Sequence, residues 1–365
     1  MRCKEVGGIN LGQGICDLPV HDQIKQAVSD AVNHNHSQYS ACEGVAALRS
    51  EIVNKVNNFN NLNINKDNVM VGHGATGIFV CTVMTLFNPG DEVVIFEPFY
   101  GYHKNILDLQ QIKLNPVAIN LQDFSIDFDE LKSAITPKTK GIIICTPNNP
   151  TGKVFSRDEL EYIASLAKQH DLFIITDEIY EYVTYPGFEH LSIASLPDCF
   201  DRTLTISGFS KTYNMTGWRL GYAIGRADII EKMSLLNDYL YVCASTPMQY
   251  AVIEALKLPQ NYYQQMAQAY LHKRDLVVNA LRDMGFEFAM PQGAYYLLAD
   301  FSKLPFKNDL EIVDFLLEKA KVATVPGRAF YLNPEDGEKC IRFCFALSEE
   351  KLQAAMAAMA EVMPI

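Results

Sequence analysis

Residues 207–222 read SGFSKTYNMTGWRLGY and include the only tryptophan of the 365-residue chain. Lys211 follows an apolar run, residues 204–206, that is typical of a buried strand, and Arg219 follows in an apolar setting of its own. A lysine in a half-buried site near another cation has a lowered pKa, as a Schiff-base amine requires. Glycines in the stretch allow the backbone to approach a ligand closely. The stretch therefore indicates a ligand site with a reactive lysine, and two unrelated surface cations are the structural alternative.

This stretch resembles the lysine segment of the class I and II aminotransferases, which bind pyridoxal 5′-phosphate (PLP). The resemblance implies that Lys211 forms an imine with the cofactor and that Arg219 holds the cofactor phosphate. The family often has a serine shortly before the lysine, at the position of Gly208 in this chain. Ser207 and Ser210 flank that position, so both are candidates for binding the phosphate.

The composition is that of an acidic globular enzyme. A chain of this length exceeds the usual size of a single core, so one large and one small domain are expected. The net charge of −12, without a basic tract, argues against nucleic acid and membrane surfaces as partners. The nine cysteines are scattered without CxxC pairs, which favours reduced thiols over disulfides or a metal site. Residues 1–8 lack the apolar core of a signal peptide, and we expect a cytoplasmic protein.

A glycine-rich loop, residues 72–77, follows an apolar strand and precedes an apolar helix. The loop matches the dinucleotide fingerprint GxGxxG, and Glu97 ends the next strand where such a site requires an acid. A nicotinamide-dependent oxidoreductase is therefore a rival hypothesis, because free N–H groups at a helix N-terminus bind phosphate in either case. The aminotransferase resemblance gives three residues of this loop to the cofactor: Gly74, Ala75 and Thr76.

The most informative acid is Asp177, which follows the apolar strand at residues 172–176. A buried carboxylate costs several kcal/mol unless a nearby cation neutralises it, and the neighbouring sequence contains no obvious lysine or arginine. A protonated pyridine nitrogen would answer it, and the carboxylate would keep that ring protonated as an electron sink. An acid that caps a turn is the structural alternative. Tyr180 resembles the family's hydroxyl donor to the phenolic oxygen of the cofactor.

Three further segments resemble cofactor-binding parts of the family. Residues 146–152 read TPNNPTG, close to a family signature in which Asn149 binds the phenolic oxygen. Tyr100, after another apolar strand, matches the aromatic residue that stacks on the cofactor ring. Tyr39 matches the tyrosine that reaches the cofactor phosphate of the neighbouring subunit. That last resemblance implies a homodimer with shared active sites.

We expect three residues to bind the substrate carboxylate: Gly14, Asn149 and Arg342. Gly14 lies in a glycine-rich loop whose backbone faces the substrate in the family. Arg342 stands in the middle of an alternating apolar strand, residues 340–346. A guanidinium fork for a carboxylate explains an arginine there, and a structural ion pair is the alternative.

The order of these segments implies the α/β fold of the fold-type I PLP enzymes. We expect a large domain around a mostly parallel seven-stranded sheet and a small α/β domain built from both chain ends. The expected boundaries are 1–35 for the N-terminal part of the small domain, 36–265 for the large PLP-binding domain and 266–365 for the small C-terminal domain. The implied function is PLP-dependent transamination between an L-amino acid and a 2-oxo acid, with three catalytic residues: Lys211, Asp177 and Tyr180.

Other functions and the choice of substrate stay open at this point. A PLP-dependent lyase or synthase would share every cofactor residue, whereas a PLP-sensing transcription regulator would need a basic DNA-binding module that the acidic chain lacks. Residues 236–243 contain no lysine or arginine and offer Tyr239 and Tyr241 instead. An aromatic-lined pocket favours a neutral or aromatic amino acid, because an unpaired buried carboxylate is costly. Arg328 weakens this argument if its loop faces the pocket.

Overall fold

The computed structural model of the protein describes residues 2–364. The strands are β1 (Ile9–Asn10), β2 (Val69–His73), β3 (Glu92–Glu97), β4 (Lys113–Ala118), β5 (Thr139–Cys145), β6 (Phe173–Asp177), β7 (Thr203–Gly208), β8 (Leu220–Ile224), β9 (Tyr296–Asp300), β10 (Val322–Ala323), β11 (Val325–Pro326) and β12 (Cys340–Cys344). The α-helices are α1 (Arg2–Glu5), α2 (Asp22–Asn33), α3 (Ala46–Phe59), α4 (Gly74–Leu86), α5 (Gly101–Leu109), α6 (Phe128–Ser133), α7 (Arg157–Gln169), α8 (Ala227–Tyr241), α9 (Thr246–Leu256), α10 (Gln260–Asp283), α11 (Asp309–Phe315) and α12 (Glu349–Val362).

Strands β2 to β8 form one seven-stranded sheet in the order β2-β8-β7-β6-β5-β3-β4. Strand β8 runs antiparallel to both of its neighbours, and every other pair in the sheet is parallel. The mostly parallel seven-stranded sheet is therefore confirmed. Its central strands are apolar on both faces because helices cover both sides, as expected for a parallel sheet.

The direction of the strands positions the candidate site. Six strands of the sheet point the same way, so their carboxyl ends meet at one edge, where open α/β sheets bind their ligands. Five predicted parts of the site lie at such ends or just after them: the glycine-rich loop, Tyr100, Asn149, Asp177 and Lys211.

A smaller antiparallel sheet has the order β11-β12-β9, and β1 pairs in parallel with β10. The first strand of the chain thus joins the C-terminal part. Helix α2 packs instead on α9, and its Ile24 lies in a cluster with residues of the large sheet. We therefore propose that the N-terminal contribution to the small domain ends before α2 and not at residue 35. None of the helices within residues 2–364 is both long and apolar enough to cross a membrane.

Candidate active site

A cavity of about 520 Å³ opens at the carboxyl edge of the large sheet. Residues from distant parts of the chain line it, including the glycine-rich loop, the β6 turn and β12. Most of the predicted site residues are among them: Gly14, Ala75, Thr76, Tyr100, Asn149, Asp177, Tyr180, Ser210, Lys211, Arg219 and Arg342. Three predicted residues, Tyr39, Gly74 and Ser207, do not line it.

Lys211 lies half-buried in the loop after β7, and its Nζ donates a hydrogen bond to the carbonyl oxygen of Gly14 at 2.9 Å. Burial lowers the pKa of this amine to about 8, and the positive charge of Arg219 acts in the same direction. Cys344 and Asp177 oppose the shift. A large fraction of the amine is therefore neutral near pH 8, as a nucleophile or a base requires.

The close approach of the Gly14 backbone to the lysine depends on glycine. A Cβ atom at this position would lie 1.8 Å from the hydroxyl oxygen of Tyr296. The same tyrosine hydroxyl is 3.1 Å from that of Tyr180, so the two phenols form a pair beside the lysine. Burial raises the pKa of Tyr180, which keeps its hydroxyl protonated and able to donate.

Asp177 ends β6 and is buried, with 6% of its surface exposed. Its Oδ2 lies 3.1 Å from Nε2 of His103, and its Oδ1 accepts a hydrogen bond from the backbone N–H of Ile179. The residue thus also caps the turn, as the structural alternative proposed. The His103 partner was missed from the sequence. A possible signal was its position one helical turn after Tyr100, at the start of α5.

The other end of the cavity is a cradle for an anion. Arg219 adopts the left-handed conformation with φ 56° after a short 3₁₀ turn, and its Nη1 donates to the carbonyl oxygen of Thr216. The guanidinium packs directly on Gly74, where a Cβ atom would lie 2.6 Å from Nη2. Gly74 itself has a φ of +70° and begins α4, and Ala75 and Thr76 of the first turn of this helix line the cavity. A guanidinium beside a helix N-terminus favours a phosphate group.

Ser207 does not face this cradle, contrary to expectation. Its side chain is buried in β7 and donates to Oε1 of Glu181 at 3.0 Å. Side chains alternate between the two faces of a strand, and residue 207 projects away from the cavity. Ser210, in the loop after β7, lines the cavity and is the remaining serine candidate.

Arg342 is buried in β12, with 6% of its surface exposed. Its Nη1 donates to Oδ1 of Asn149 at 2.8 Å, and its Nη2 donates to the carbonyl oxygen of Gly12. The rings of Tyr296 and Phe330 lie 4.5 and 4.9 Å from the guanidinium carbon. Within residues 2–364 no carboxylate forms a salt bridge with it, so the structural ion pair considered above is not present among them. A buried cation without a counterion is available to bind an anionic ligand.

Arg328 has a different environment. Its guanidinium forms hydrogen bonds of 2.6 to 3.0 Å with both carboxylate oxygens of Asp309, which is fully buried at the start of α11. The side chain does not line the cavity. Arg328 therefore does not supply a cation to this cavity, because a buried acid already holds it, and the argument for a neutral side chain is not weakened by it.

Aromatic and apolar residues form the rim of the cavity. Tyr100 stacks on Tyr102 with ring centroids 5.0 Å apart and an interplanar angle of 25°. Tyr102 is 54% exposed and Ile15 is 45% exposed, in contrast to the buried floor. Tyr39 is 83% exposed and does not approach the cavity of its own chain.

The sequence matches the model of the family described as aminotransferase class I and II over residues 6–359. The chain belongs to this aminotransferase family. A probable aspartate aminotransferase of Methanocaldococcus jannaschii is 35% identical over 360 residues, which cover 97% of this chain and 93% of that protein. Aromatic-amino-acid aminotransferase 2 of Thermococcus litoralis is 34% identical over 361 residues, with 98% and 92% coverage.

Solved structures agree with the aminotransferase assignment. The N-succinyldiaminopimelate aminotransferase of Mycobacterium tuberculosis superimposes with a TM-score of 0.95 at 31% identity, over 99% of this chain and 94% of that one. An Escherichia coli protein with a methionine aminotransferase function gives a TM-score of 0.93 at 29% identity, with 99% and 94% coverage. The fold-type I architecture and PLP-dependent transamination are thereby confirmed. The nicotinamide and lyase alternatives are not favoured.

Proposed function

We propose that this aminotransferase uses PLP held by the cavity residues to transfer the amino group of a neutral or aromatic L-amino acid to a 2-oxo acid. The observation that carries the proposal is the arrangement of charges in one cavity. A lysine with a lowered pKa shares the cavity with a buried acid, Asp177, and two arginines, Arg219 and Arg342. Within residues 2–364 none of the three cations forms a salt bridge with a carboxylate, and Asp177 has His103 as its one ion-pair partner.

The residues present fit the cofactor. Asp177 would hold the ring nitrogen, with His103 orienting the carboxylate, and Arg219 would hold the phosphate. The Gly74 backbone leaves room for that guanidinium and for little else. The remaining contacts would come from the residues expected from the sequence: Ala75, Thr76, Ser210, Tyr100, Asn149 and Tyr180. When bound, the cofactor supplies an electron sink for the charge that develops on the substrate Cα.

Arg342 and Asn149 would orient the substrate through its α-carboxylate, with the Gly14 backbone on the other side. A guanidinium binds a carboxylate in a bidentate manner, which fixes Cα relative to the lysine. Lys211 would hold the cofactor through its side-chain amine. As a neutral amine, its Nζ would accept the proton that leaves Cα of the substrate. Its lowered pKa makes it a suitable base close to neutral pH.

The preference for a neutral or aromatic side chain is supported by the charges of the cavity. Lys211, Arg219 and Arg342 all have roles in cofactor or α-carboxylate binding, and Arg328 is held by Asp309. Within the part of the chain that the structure describes, the cavity lining contains no further lysine or arginine for a distal carboxylate. Relatives named for aspartate and for aromatic amino acids match at nearly equal identity, so the preference rests on the cavity.

We also propose that the active enzyme is a cytoplasmic homodimer. Tyr39 and Tyr239 are 83% and 81% exposed, and residues 240–242 add further exposed apolar side chains. A second copy of the chain would cover them, and its Tyr39 would complete the phosphate site. Mixing inactive Tyr39→Phe and Lys211→Ala variants should restore part of the activity through hybrid dimers.

The cysteines support the cytoplasmic part of the proposal. All nine are free, which suits a reducing compartment.

The experiment that tests the proposed function is replacement of Lys211 by alanine. The wild-type enzyme should show the visible absorbance of lysine-bound PLP and lose it on borohydride treatment, whereas Lys211→Ala should lack this band and turnover. Product analysis of the wild-type enzyme should give one new amino acid for each 2-oxo acid formed, which separates transamination from a lyase reaction. Substantial transamination by the alanine variant without added amines would overturn the assignment.

A further inference from the structure

The turn after β6 presents side chains in two opposite directions. Asp177 and Tyr180 face the cavity. Glu178 and Glu181 point away from it and are buried, with 0% and 4% of their surfaces exposed. Two carboxylates in the interior are costly unless their charges are answered, so their surroundings require a physical explanation.

Glu181 contacts three other elements of the fold. Its carboxylate lies 2.6 Å from the ammonium of Lys55 on α3, and it accepts hydrogen bonds from Ser207 on β7 at 3.0 Å and from Tyr222 on β8 at 3.4 Å. Asn60 donates a further bond at 3.0 Å. One carboxylate therefore connects the turn that carries Asp177 with the strand that leads to Lys211.

Glu178 belongs to the same buried network. Its Oε2 lies 3.0 Å from Nε2 of His190, and its Oε1 accepts hydrogen bonds from the hydroxyls of Ser192 and Thr176. Burial alone would raise the pKa of Glu181, but Lys55, His190 and the hydrogen bonds more than offset it, and the pKa is lowered. Glu181 is therefore ionised and paired at neutral pH.

A metal ion is the first alternative for such a cluster, since ligand atoms of Glu178, Glu181 and His190 lie within 4.8 Å of one another. The contacts favour a different role. The Lys55 ammonium already neutralises Glu181, and both oxygens of Glu178 already have hydrogen-bond partners. The carboxylate oxygens and Nε2 of His190 thus already have partners, and only Nδ1 of His190 is buried without one.

We propose that Glu181 is a positioning residue: together with Lys55 it fixes the Asp177 turn relative to the β7 strand that leads to Lys211. The inference rests on the proposed function, because Asp177 and Lys211 lie on either side of the reacting atoms only if the cavity holds the cofactor. A buried ion pair adds little net stability compared with apolar residues of the same size. Here the ion pair instead fixes the relative position of two catalytic segments that are far apart in sequence.

The test is a double-mutant cycle with Glu181→Gln and Lys55→Met in the holoenzyme. Each single variant leaves a buried group without its partner and should lower Tm, whereas the double variant should recover most of that loss. We expect kcat to fall about 10²-fold in Glu181→Gln, the effect of a misplacement of roughly 1 Å. It should stay low in the double variant while KM changes little, because Arg342 and Asn149 are outside the network.

A spectroscopic readout separates positioning from a purely structural role. The pH midpoint of the visible band of the bound cofactor reports the surroundings of Lys211 and Asp177. It should move by about one unit in Glu181→Gln and in the double variant, the size of shift that proteins commonly impose on ionisable groups. A double variant with recovered stability, wild-type kcat and an unmoved midpoint would overturn the proposal.

Another buried lysine–glutamate pair provides the matched control. Lys153 and Glu159 are 2.6 Å apart, with side chains 4% and 12% exposed, and Glu159 lies on α7. Glu159→Gln should lower Tm without moving kcat or the pH midpoint of the visible band.

If Glu181→Gln does not fold, Ser207→Ala decides the question, because it removes only the link to β7. This variant should still lower kcat and shift the midpoint. No change in either would overturn the proposal. A wild-type enzyme without the lysine-bound band would refute the proposed function itself, whatever the variants do.

Discussion

Arg342 and Arg328 look alike in sequence but differ in the folded chain. Both stand among apolar residues in the C-terminal part, and both are candidates for binding a substrate carboxylate. Arg342 is 6% exposed and has an amide, a carbonyl and two aromatic rings around its guanidinium. Arg328 is more exposed, yet its charge is neutralised by the buried Asp309. The partner of a cation, and not its burial, indicates which one is available to a ligand.

The arrangement around Arg342 has an energetic cost. A buried charge is stable only when it is paired or well hydrogen-bonded, and this guanidinium has a buried Nε without a partner. The aromatic faces and the two oxygens offset part of the cost. An α-carboxylate would provide the rest, so binding energy is available where the substrate must be oriented.

The largest effect should come from breaking the structural pair. Asp309→Asn removes the counterion of Arg328 and leaves a cation unpaired beside a buried amide. Losing one partner of a fully buried pair costs about 3–5 kcal/mol of unfolding free energy. The Arg328 side chain is 33% exposed, so we expect a loss at the lower end of this range, which denaturant titration measures. The double variant Asp309→Asn/Arg328→Met should recover much of it. An unchanged unfolding midpoint in Asp309→Asn would show that the pair is not what holds this loop.

Breaking the binding arginine should affect catalysis more than stability. Arg342→Gln should lower kcat/KM for amino acids about 10²- to 10³-fold, the usual effect of removing one side of a buried charge pair. PLP binding should persist, because the Arg219 cradle is separate. The half-reaction with a primary amine that lacks a carboxylate is the control and should not slow. Equal losses for the amine and the amino acid would mean that Arg342 does not bind the carboxylate.

Lys211 can report the charge difference between the two arginines. Its pKa of about 8 is lowered by burial, by Arg219 and to a smaller degree by Arg342. The neutral amine is the reactive form, so the labelling rate of the apoenzyme by an amine reagent should rise with pH through a midpoint near 8. Arg342→Gln should move this midpoint upward by less than about one unit. Arg328→Met should leave it in place, and the opposite pattern would contradict the assignment of the two arginines.

The smallest effect is expected on substrate choice. Arg328→Met should leave the ratio of kcat/KM for neutral and dicarboxylic donors unchanged within about twofold, or about 0.4 kcal/mol. The reason is that Arg328 is paired with Asp309 and does not line the cavity. A donor screen with methionine, phenylalanine, alanine and aspartate measures the ratio. A selective loss of aspartate activity would place Arg328 in the pocket after all.

Local patterns carried most of the fold. Continuous apolar runs predicted central strands: the run at 172–176 lies in β6 except for its first residue, and the run at 204–206 lies within β7. The motifs that join a strand to a catalytic residue, such as Asp177 at the end of β6, could also be recognised because strand, turn and side chain are contiguous in sequence. The large sheet and the lysine segment therefore needed no long-range information.

Pairings between distant segments were not predictable in the same way. The contacts His103–Asp177 and Arg328–Asp309 depend on which elements meet in space, and neither residue pair is close in sequence. The direction of the Ser207 side chain could not be predicted either, for a different reason. The position of a serine near the lysine does not determine its direction, which follows from the side-chain alternation of β7. The partner Glu181 becomes visible only in the folded chain.

The contrast between the buried floor of the cavity and its exposed rim bears on how such enzymes diversify. The floor residues have several partners each, and even a methyl group at Gly14 or Gly74 would collide with a neighbouring side chain. Tyr102 and Ile15 at the rim are about half exposed and have room to change. We therefore expect substitutions at these two positions to alter what the cavity accepts more than they alter the chemistry below. By this reasoning a lineage would acquire new amino-acid donors through a few surface changes while its reaction stays the same.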